Sequence, residues 1–527
     1  MKSADSSNKM KRNTSKLMTA RQAVDLIPDN STVTTGGFCG AGFAEEIALE
    51  IRDNYLETNH PHNITLVYGA GQGDFKSKGL SHLGIDGLVG KIIGAHYGAS
   101  PLLSQFAIDN KIPAYNLPQG VISHMYRDIA ANKPRTISKV GLHTFVDPRL
   151  EGGKVNEITT ESIVEVIDFD GEEYLAYRTF PIDVAILRGT TADDEGNITM
   201  EREALTLESQ AQAMAAKNSG GIVIVQVAQV VQSGSLHPKE VVIPGILVDA
   251  IVIATDKNNH WQTFAEEYNS SFSGEAKIPM ESVPPLEMNA RKIIARRAAF
   301  ELHPGNIVNL GIGMPEGIAN VANEEGLLEM LTLTAEPGII GGMPASGLSF
   351  GSSYNPQAII AQPSQFDFYH GGGLDVTFLG LAQADKFGNL NVSKFGRRLS
   401  GAGGFIDISQ NAKKVIFTGT FTAGGLKIGV NDGEVKIVQE GRSKKFVDHV
   451  EQVTFSGKYA SEKEQWVLFI TERCVFRLVK DGLQLIEIAP GVELQKDILD
   501  LMDFEPIISE PIALMDQRIF HKEPMGL

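Results

Sequence analysis

The residue best placed to do chemistry is Glu336, which follows an apolar run in the glycine-rich turn of LTLTAEPG. The later segments IIGGMPASGLSFGSSYNP and SGAGGFIDIS are so rich in glycine and serine that exposed, closely spaced backbone N–H groups are expected. A carboxylate beside such amides could attack a carbonyl carbon, and the amides could hold the resulting oxyanion. On the residues alone, the alternative is that Glu336 caps the turn at Pro337-Gly338 and the glycines only form turns.

The elements that must position Glu336 belong to a chain in which short apolar runs alternate with helical patterns. ITLVYGAG at 64 to 71 and GIVIVQVAQVV at 221 to 231 are typical buried strands, and ESQAQAMAAKNSG between them has helical character. This alternation predicts an α/β fold with mainly parallel sheets.

Three landmarks occur twice in the same order, which indicates two diverged copies. VTTG at 33 to 36 matches VNLG at 308 to 311, ITLVYGAG matches LTLTAEPG, and DVAILRGTTADDEGNIT matches DVTFLGLAQADKFGNLN. The first copy carries about 75 additional residues, over roughly 72 to 182. Gly69 stands where the second copy has Glu336, so only one copy has the carboxylate. We therefore expect one site, in the cleft between the two halves.

The predicted domain organisation follows from these copies and from the composition between them. Residues 1–16 are interpreted as a flexible polar tail, 17–255 as the N-terminal domain and 289–527 as the C-terminal domain, which carries Glu336. Residues 256–288 are polar and contain several prolines, which is typical of a linker.

Composition excludes several classes of protein. The chain has 527 residues and a formal net charge of −17, which opposes non-specific binding to nucleic acid or anionic lipid. Its two cysteines form neither a disulfide framework nor a CxxC motif, and a cytoplasmic setting is expected. No apolar run has the length of a membrane span, and the 12 histidines include no HExxH metal motif.

Several longer motifs resemble family I coenzyme A transferases, over about residues 17 to 517. They are LTAEPGIIGGMPASG, LAQADKFGNLNVS and SGAGGFIDIS in one half and NLPQG, GLHTFVDPRLEGGKVN and YNSSFSGE in the other. Within the family the chain is most similar to single-chain acetate or propionate CoA-transferases and is more distant from succinyl-CoA:3-oxoacid transferases. The resemblance implies two homologous α/β domains with the active site between them.

The resemblance also implies an activity, the transfer of CoA from a short-chain acyl-CoA to a free carboxylic acid by ping-pong kinetics. In this family the catalytic glutamate forms an acyl–glutamyl anhydride and then a glutamyl–CoA thioester. CoA would be substrate and covalent intermediate, with no permanently bound cofactor and no metal. The expected partners are acyl-CoA and small carboxylic acids, in a homodimer or homotetramer.

Carried over to this sequence, the resemblance places Glu336 as the nucleophile and Gln119, Gly403 and Gly404 in the oxyanion hole, with Gly403 preferred as the backbone donor. Gln119 lies within the additional segment of the first copy, which would bring it to the cleft. CoA or substrate contacts are expected at Gly401, Gly311, Gly313, Gly341 and Gly342. Arg397 and Arg398 could contact CoA phosphates or could simply be solvated.

Two other functions stay open at this point. GLSFG at 347 to 351 matches the GxSxG motif of serine hydrolases, which would make Ser349 a nucleophile in a thioesterase. However, the motif lacks the strand before it and the helix after it that a nucleophile elbow requires. A non-catalytic CoA-binding protein is the second alternative.

Overall fold

The computed structural model describes residues 15–279, 285–431 and 433–527. Residues 1–14 of the predicted tail and 280–284 of the predicted linker lie outside the described residues. Lys16, at the end of that tail, donates hydrogen bonds to the carbonyl oxygens of Glu195 (2.8 Å) and Gly245 (2.6 Å).

The N-terminal half is built on a sheet in which all eight described strands are parallel. In spatial order the strands are Leu17–Met18, Ala250–Ile253, Ile222–Val227, Val184–Arg188, Thr32–Thr35, Ile64–Tyr68, Val89–Gly94 and Ala114–Asn116. Successive residues of Val184–Arg188 enter different cores: Ala185 and Leu187 pack on one face, Val184 and Ile186 on the other. Burial of both faces explains why these strands are continuous apolar runs.

The C-terminal half has a sheet of ten described strands. In spatial order they are Ala358–Ile359, Ile339–Ile340, Thr332–Ala335, Ile307–Leu310, Val376–Gly380, Lys414–Thr418, Trp466–Ile470, Cys474–Val479, Gly482–Ile488 and Ile507–Leu514. The third to seventh strands are parallel to one another. Their spatial order matches that of the second to sixth strands of the first sheet when the first sheet is read from its other edge. The predicted α/β fold with two homologous halves is confirmed.

Ten helices of the described residues flank the sheets. They are α1 (Ala20–Val24), α2 (Glu45–Thr58), α3 (Pro101–Ile108), α4 (Gln119–Ala130), α5 (Ser209–Asn218), α6 (Ala290–Ala299), α7 (Glu316–Glu324), α8 (Gln362–His370), α9 (Phe405–Asn411) and α10 (Gly457–Glu462). Residues of α1 to α3 pack in the core on one face of the first sheet, and residues of α4 and α5 in the core on the other. No helix among the described residues is long and apolar enough to cross a membrane.

The additional residues of the first half form strands of two kinds. Val89–Gly94 and Ala114–Asn116 extend the parallel sheet, whereas Arg135–Ser138, Val164–Phe169 and Glu172–Arg178 form a separate antiparallel sheet.

A further four-stranded sheet comprises Thr191–Asp193, Ile198–Thr199, Gln229–Val231 and Val241–Ile243. Its C-terminal analogue comprises Gln383–Asp385, Leu390–Asn391 and Phe446–Val447.

Helices α4 and α8 are equivalent, although the sequence comparison placed α4 in a segment that the second copy lacks. Each begins with a glutamine whose backbone N–H crosses to the other half: Gln119 donates to Gly403 O and Gln362 to Leu207 O, both at 3.0 Å. Gly403 and Leu207 have φ of 55° and 53° and directly precede the first turns of α9 and α5. The expectation that Gln119 lies in a segment without a counterpart in the second copy was therefore wrong, because the equivalence lies in backbone geometry and not in shared motifs.

The two halves are related by this pseudo-twofold arrangement, and Gly69 is the position of the first half that is equivalent to Glu336. The space beside Gly69 is closed. A Cβ built on Gly69 would lie 2.6 Å from Oε1 of Glu208 and 3.6 Å from Nε2 of Gln362. Glu208 thus fills the space that a side chain at residue 69 would need. It is 2% exposed, and its Oε2 has no hydrogen-bond partner among the described residues. Burial raises the pKa of Glu208 to about 8, so the side chain is a neutral acid at pH 7.

We predict that Glu208 makes the protein less stable as pH rises. The unfolded chain releases this proton near the ordinary glutamate pKa of about 4.3, whereas the folded chain keeps it up to about pH 8. Between those values the unfolded state binds fewer protons, so the free energy of unfolding falls with pH. Glu208→Gln removes this contribution, and its advantage over wild type in urea midpoint should grow from pH 5 to pH 8.

The matched control is Glu329→Gln, which removes an exposed carboxylate of the same half as Glu336. Its urea midpoint should follow that of wild type at every pH. A constant difference between Glu208→Gln and wild type across this pH range would show that Glu208 is ionised in the folded protein.

Candidate active site

A cavity of about 610 Å³ lies between the two halves. The N-terminal half contributes Phe38, Cys39, His96 and Gln119 to its walls, and the C-terminal half contributes Asn309, Glu336, Phe350 and the segment 397–405. Glu336, Asn309 and Leu379 reach it from the carboxyl ends of three adjacent parallel strands. This edge of an α/β sheet is where ligands bind in folds of this class.

Glu336 occupies the tight turn that joins Thr332–Ala335 to the antiparallel strand Ile339–Ile340. The N–H of Gly338 closes the turn on the carbonyl oxygen of Ala335 (3.1 Å). Gly338 has a φ of 116°, and a Cβ there would lie 1.9 Å from the carbonyl oxygen of Ile360. Only glycine fits this position, so the spacing Glu-x-Gly holds the carboxylate at the cavity wall.

The Glu336 carboxylate is half-buried, and no cation among the described residues offsets its charge. Removal from water raises its pKa to about 7, and the charge of Asp407 adds to this effect. Hydrogen bonding from its own backbone and from the Asn309 side chain lowers the pKa only in part. At neutral pH a large fraction of Glu336 is therefore an ionised, poorly solvated carboxylate.

Among the described residues, the turn Gly401–Gly404 has one backbone donor without an acceptor. Four neighbouring amides are already used: Gly401 donates to Ser393 O (3.0 Å), Ala402 to Asn116 Oδ1 (3.0 Å), Gly403 to Ala95 O (2.8 Å) and Phe405 to Ala402 O (3.1 Å). Among the described residues, the N–H of Gly404 has no acceptor. A Cβ built on Gly404 would lie 3.6 Å from Cγ of Glu336. The preference for Gly403 as donor is thus inconsistent with its hydrogen bond to Ala95.

Gln119 of the N-terminal half provides a second donor, and its side chain lies close to Gly403. It is the first residue of α4, and its backbone is anchored to Gly403 O across the interface. Its side chain is 2% exposed, lines the cavity, and leaves Nε2 without a partner among the described residues. Leaving a buried donor unpaired costs about 1 to 3 kcal/mol, so a cavity ligand that accepts this hydrogen bond would be favoured.

The remaining glycines predicted from the sequence divide into two groups. Gly311 and Gly401 line the cavity. Gly313, Gly341 and Gly342 are not among its lining residues; all three have left-handed φ, and Gly342 packs on the backbone of Tyr354. The glycine-rich appearance of 341–347 therefore reflects turn geometry.

The two arginines expected near the cleft both reach the cavity wall. Arg397 is exposed and forms an ion pair with Asp109 of the other half, and Arg398 is also exposed. Each lies at the opening of the cavity to solvent.

Two other possible nucleophiles are poorly placed. Ser349 lies in the short 3₁₀ turn Gly347–Ser349, where its hydroxyl pairs with Thr263 Oγ1 at 2.9 Å. That turn is not the strand-to-helix elbow that a hydrolase needs. Cys39 lines the cavity, but burial and the nearby Glu336 raise the pKa of its thiol to about 12, which keeps it protonated.

Sequence reasoning missed Asn309 and Asp407, which act on Glu336 from its own half. Each is a polar residue inside an apolar segment, IVNL and FIDIS, and is fully buried. An unexplained polar position in a buried strand or helix is the signal that could have identified them. No group of three or more His, Cys, Asp or Glu side chains in the described part of the chain is arranged to hold a metal ion.

Comparison with known proteins identifies the family. The Coenzyme A transferase family model matches residues 17–254. Caffeate CoA-transferase of Acetobacterium woodii is 52% identical over 517 residues, which cover 97% of this chain and 98% of that protein. Acetate CoA-transferase YdiF of Escherichia coli K12 is 46% identical over 512 residues, covering 97% and 96%.

The fold leads to the same family. A crystal structure of the acyl-CoA transferase YdiF from E. coli O157:H7, a thioester complex with CoA, superposes with a TM-score of 0.92. The two share 45% sequence identity, and the match covers 98% of each chain. These findings confirm what the motifs predicted: this protein belongs to the coenzyme A transferase family and is a CoA-transferase.

Proposed function

We propose that this enzyme transfers CoA from a short-chain acyl-CoA to a free carboxylate by ping-pong kinetics, with Glu336 as the covalent nucleophile. The observation that carries the proposal is a half-buried carboxylate whose cavity also holds two N–H donors, from Gly404 and Gln119, that have no acceptor among the described residues. The YdiF thioester complex with CoA supports a covalent course in a related enzyme.

In the first step the Glu336 carboxylate attacks the thioester carbonyl carbon. The oxyanion accepts hydrogen bonds from the Gly404 N–H and the Gln119 Nε2–H, and collapse breaks the C–S bond with its electron pair leaving on sulfur. The products are an acyl–glutamyl anhydride and CoA thiolate. A carboxylate nucleophile needs no general base, so desolvation and positioning must supply its reactivity.

In the second step CoA thiolate attacks the glutamyl carbonyl carbon of the anhydride. The donor acid leaves as a carboxylate, and CoA stays bound to Glu336 as a thioester. An acceptor carboxylate then reverses both steps and leaves as the new acyl-CoA. An anhydride preserves the activation energy of the acyl group, which an ester on Ser349 would not do.

The proposal also concerns which carboxylic acids accept CoA. Relatives at similar identity are named for acetate and for caffeate, which is much larger. The cavity is about 610 Å³, and Phe38, Phe75 and Phe350 form part of its wall. This apolar surface would accommodate an aromatic acid, so caffeate is the second candidate acceptor after short-chain acids. A discriminating survey compares acetate, propionate and caffeate as acceptors with one acyl-CoA donor.

The first prediction for this mechanism concerns the covalent adduct. Incubation with acetyl-CoA or propionyl-CoA, without added acid, should add the mass of CoA minus water to the protein, and peptide mapping should place it on Glu336. Glu336→Gln should give no adduct and no transfer while retaining its fold by circular dichroism. An acyl group on Ser349 would replace this mechanism with that of a hydrolase, and CoA binding without any adduct would support a binding protein.

The second prediction tests whether activity requires the backbone N–H of Gly404 or only the absence of a side chain at that position. Gly404 has a φ of −84°, which alanine adopts freely and which lies close to the range of about −65 ± 15° that proline requires. Gly404→Pro removes the N–H, so we expect kcat to fall about 10²-fold to 10³-fold. Gly404→Ala keeps the N–H and is the matched control, which should retain much more activity. Equal losses in the two variants would show that bulk at this position, and not the donor, is what matters.

The third prediction is the pH dependence of the first half-reaction. The pKa of Glu336 is raised to about 7, and only the ionised form attacks. The rate of adduct formation under kcat/KM conditions should therefore rise from pH 6 to pH 8 and level off above. Asp407→Asn removes a negative charge that raises this pKa, so the rising limb should move to lower pH. A profile that is flat from pH 5 to pH 8 would contradict this environment for Glu336.

A further inference from the structure

His96 lies in the cavity wall and has no part in the mechanism above. It follows the parallel strand Val89–Gly94, and its backbone pairs with Gly401 in an isolated β-bridge across the two halves. A Cβ built on Gly403 would lie 3.8 Å from both Gln119 Oε1 and His96 Cδ2. The imidazole is therefore next to the oxyanion donors, although it forms no hydrogen bond with them.

The orientation of the imidazole is fixed by close packing. A Cβ on Gly71 would lie 2.5 Å from Nδ1, and one on Gly98 would lie 3.2 Å from Cε1. Phe75 meets the ring edge-on, with centroids 6.4 Å apart and planes at 89°. Nδ1 thus points at the wall formed by Gly71, and Nε2 points at the space between Gly98 and Gly403.

This orientation selects one tautomer. Nδ1 is buried and has no hydrogen-bond partner among the described residues. An N–H at that position would be an unsatisfied buried donor, so the proton belongs on Nε2. Burial lowers the pKa of His96 to about 4, and the ring is therefore neutral at pH 7. The cavity receives a neutral Nε2–H donor.

The path of the substrate brings sulfur to this donor. Pro101, Gln105 and Arg397 line the cavity and are exposed, so they mark its opening to solvent. The thioester carbon must lie at Glu336, and the rest of CoA must leave through that opening. Gly98 and Gly403, which flank the Nε2 of His96, line the same cavity. The atom that follows the reacting carbon on the way out is the thioester sulfur.

We propose that His96 donates an Nε2–H hydrogen bond to the CoA sulfur as the C–S bond breaks, which makes it a further catalytic residue. This inference rests on the proposed function of Glu336. The C–S electron pair moves to sulfur, no proton is transferred, and the thiolate stays bound for its attack on the anhydride. A neutral donor suits this role because a cation here would also stabilise the Glu336 carboxylate and reduce its reactivity.

The test compares His96→Phe with His96→Gln in single-turnover formation of the CoA adduct on Glu336. Phenylalanine retains the ring and loses the donor, whereas the glutamine amide retains an N–H. We expect His96→Phe to form the adduct at least about 10-fold more slowly, with acyl-CoA affinity changed less than about 2-fold, and His96→Gln to recover most of the rate. If His96→Phe does not fold, His96→Ala takes its place.

A leaving-group series provides a readout that loss of packing would not change. With acyl thioesters of N-acetylcysteamine and of thiophenol, the defect of His96→Phe should be smaller for thiophenol, because its acidic thiol needs less stabilisation as it leaves. An equal defect for both thioesters, or no defect, would overturn the proposal for His96. Absence of any Glu336 adduct in wild type would instead overturn the proposed function, so the two failures are distinguishable.

Discussion

The proposed chemistry depends on one carboxylate, Glu336, that is held partly out of water with no counter-ion among the described residues. Glu336 meets this constraint because the turn that carries it cannot move: Gly338 adopts a conformation and a close approach that exclude other residues. Burial and the charge of Asp407 raise the energy of the ionised form, which is seen as a raised pKa. A lysine or arginine in contact would stabilise the ground state and remove the reason for burying the group.

The same constraint explains why the site lies between two halves. In the proposed mechanism a desolvated nucleophile needs donors that become useful only when an oxyanion forms, and each half would supply one of them. Gly404 comes from the half that carries Glu336, and Gln119 comes from the other. The hydrogen bond from the Gln119 backbone to Gly403 O joins the two donors. Relative movement of the halves would therefore separate Gln119 from Glu336 and Gly404, which belong to the same half.

The two halves, which are related by a pseudo-twofold arrangement, differ at the position of Glu336. Gln362 and Leu207 reproduce the backbone contact of Gln119 and Gly403, yet the position equivalent to Glu336 is Gly69, and Glu208 fills the space beside it. Glu208 is neutral at pH 7 because burial disfavours its charge more than the hydrogen bond from its own backbone supports it. Burial has opposite outcomes at the two places: Glu336 opens onto a cavity and ionises near neutrality, whereas Glu208 is enclosed and keeps its proton.

The sequence by itself determined the α/β class, the two related halves, the family and Glu336 as the candidate nucleophile, because strand periodicity and the Glu-x-Gly turn are local patterns. It did not determine which amide of 401–404 is free, since the acceptors that occupy the others, Ala95 O and Asn116 Oδ1, are about 300 residues away. Nor did it separate Gly311 at the cavity from Gly313 outside it, or place His96 beside Gln119. Hydrogen-bond satisfaction and exposure to a cavity are set by contacts between distant segments, and only the tertiary structure decides them.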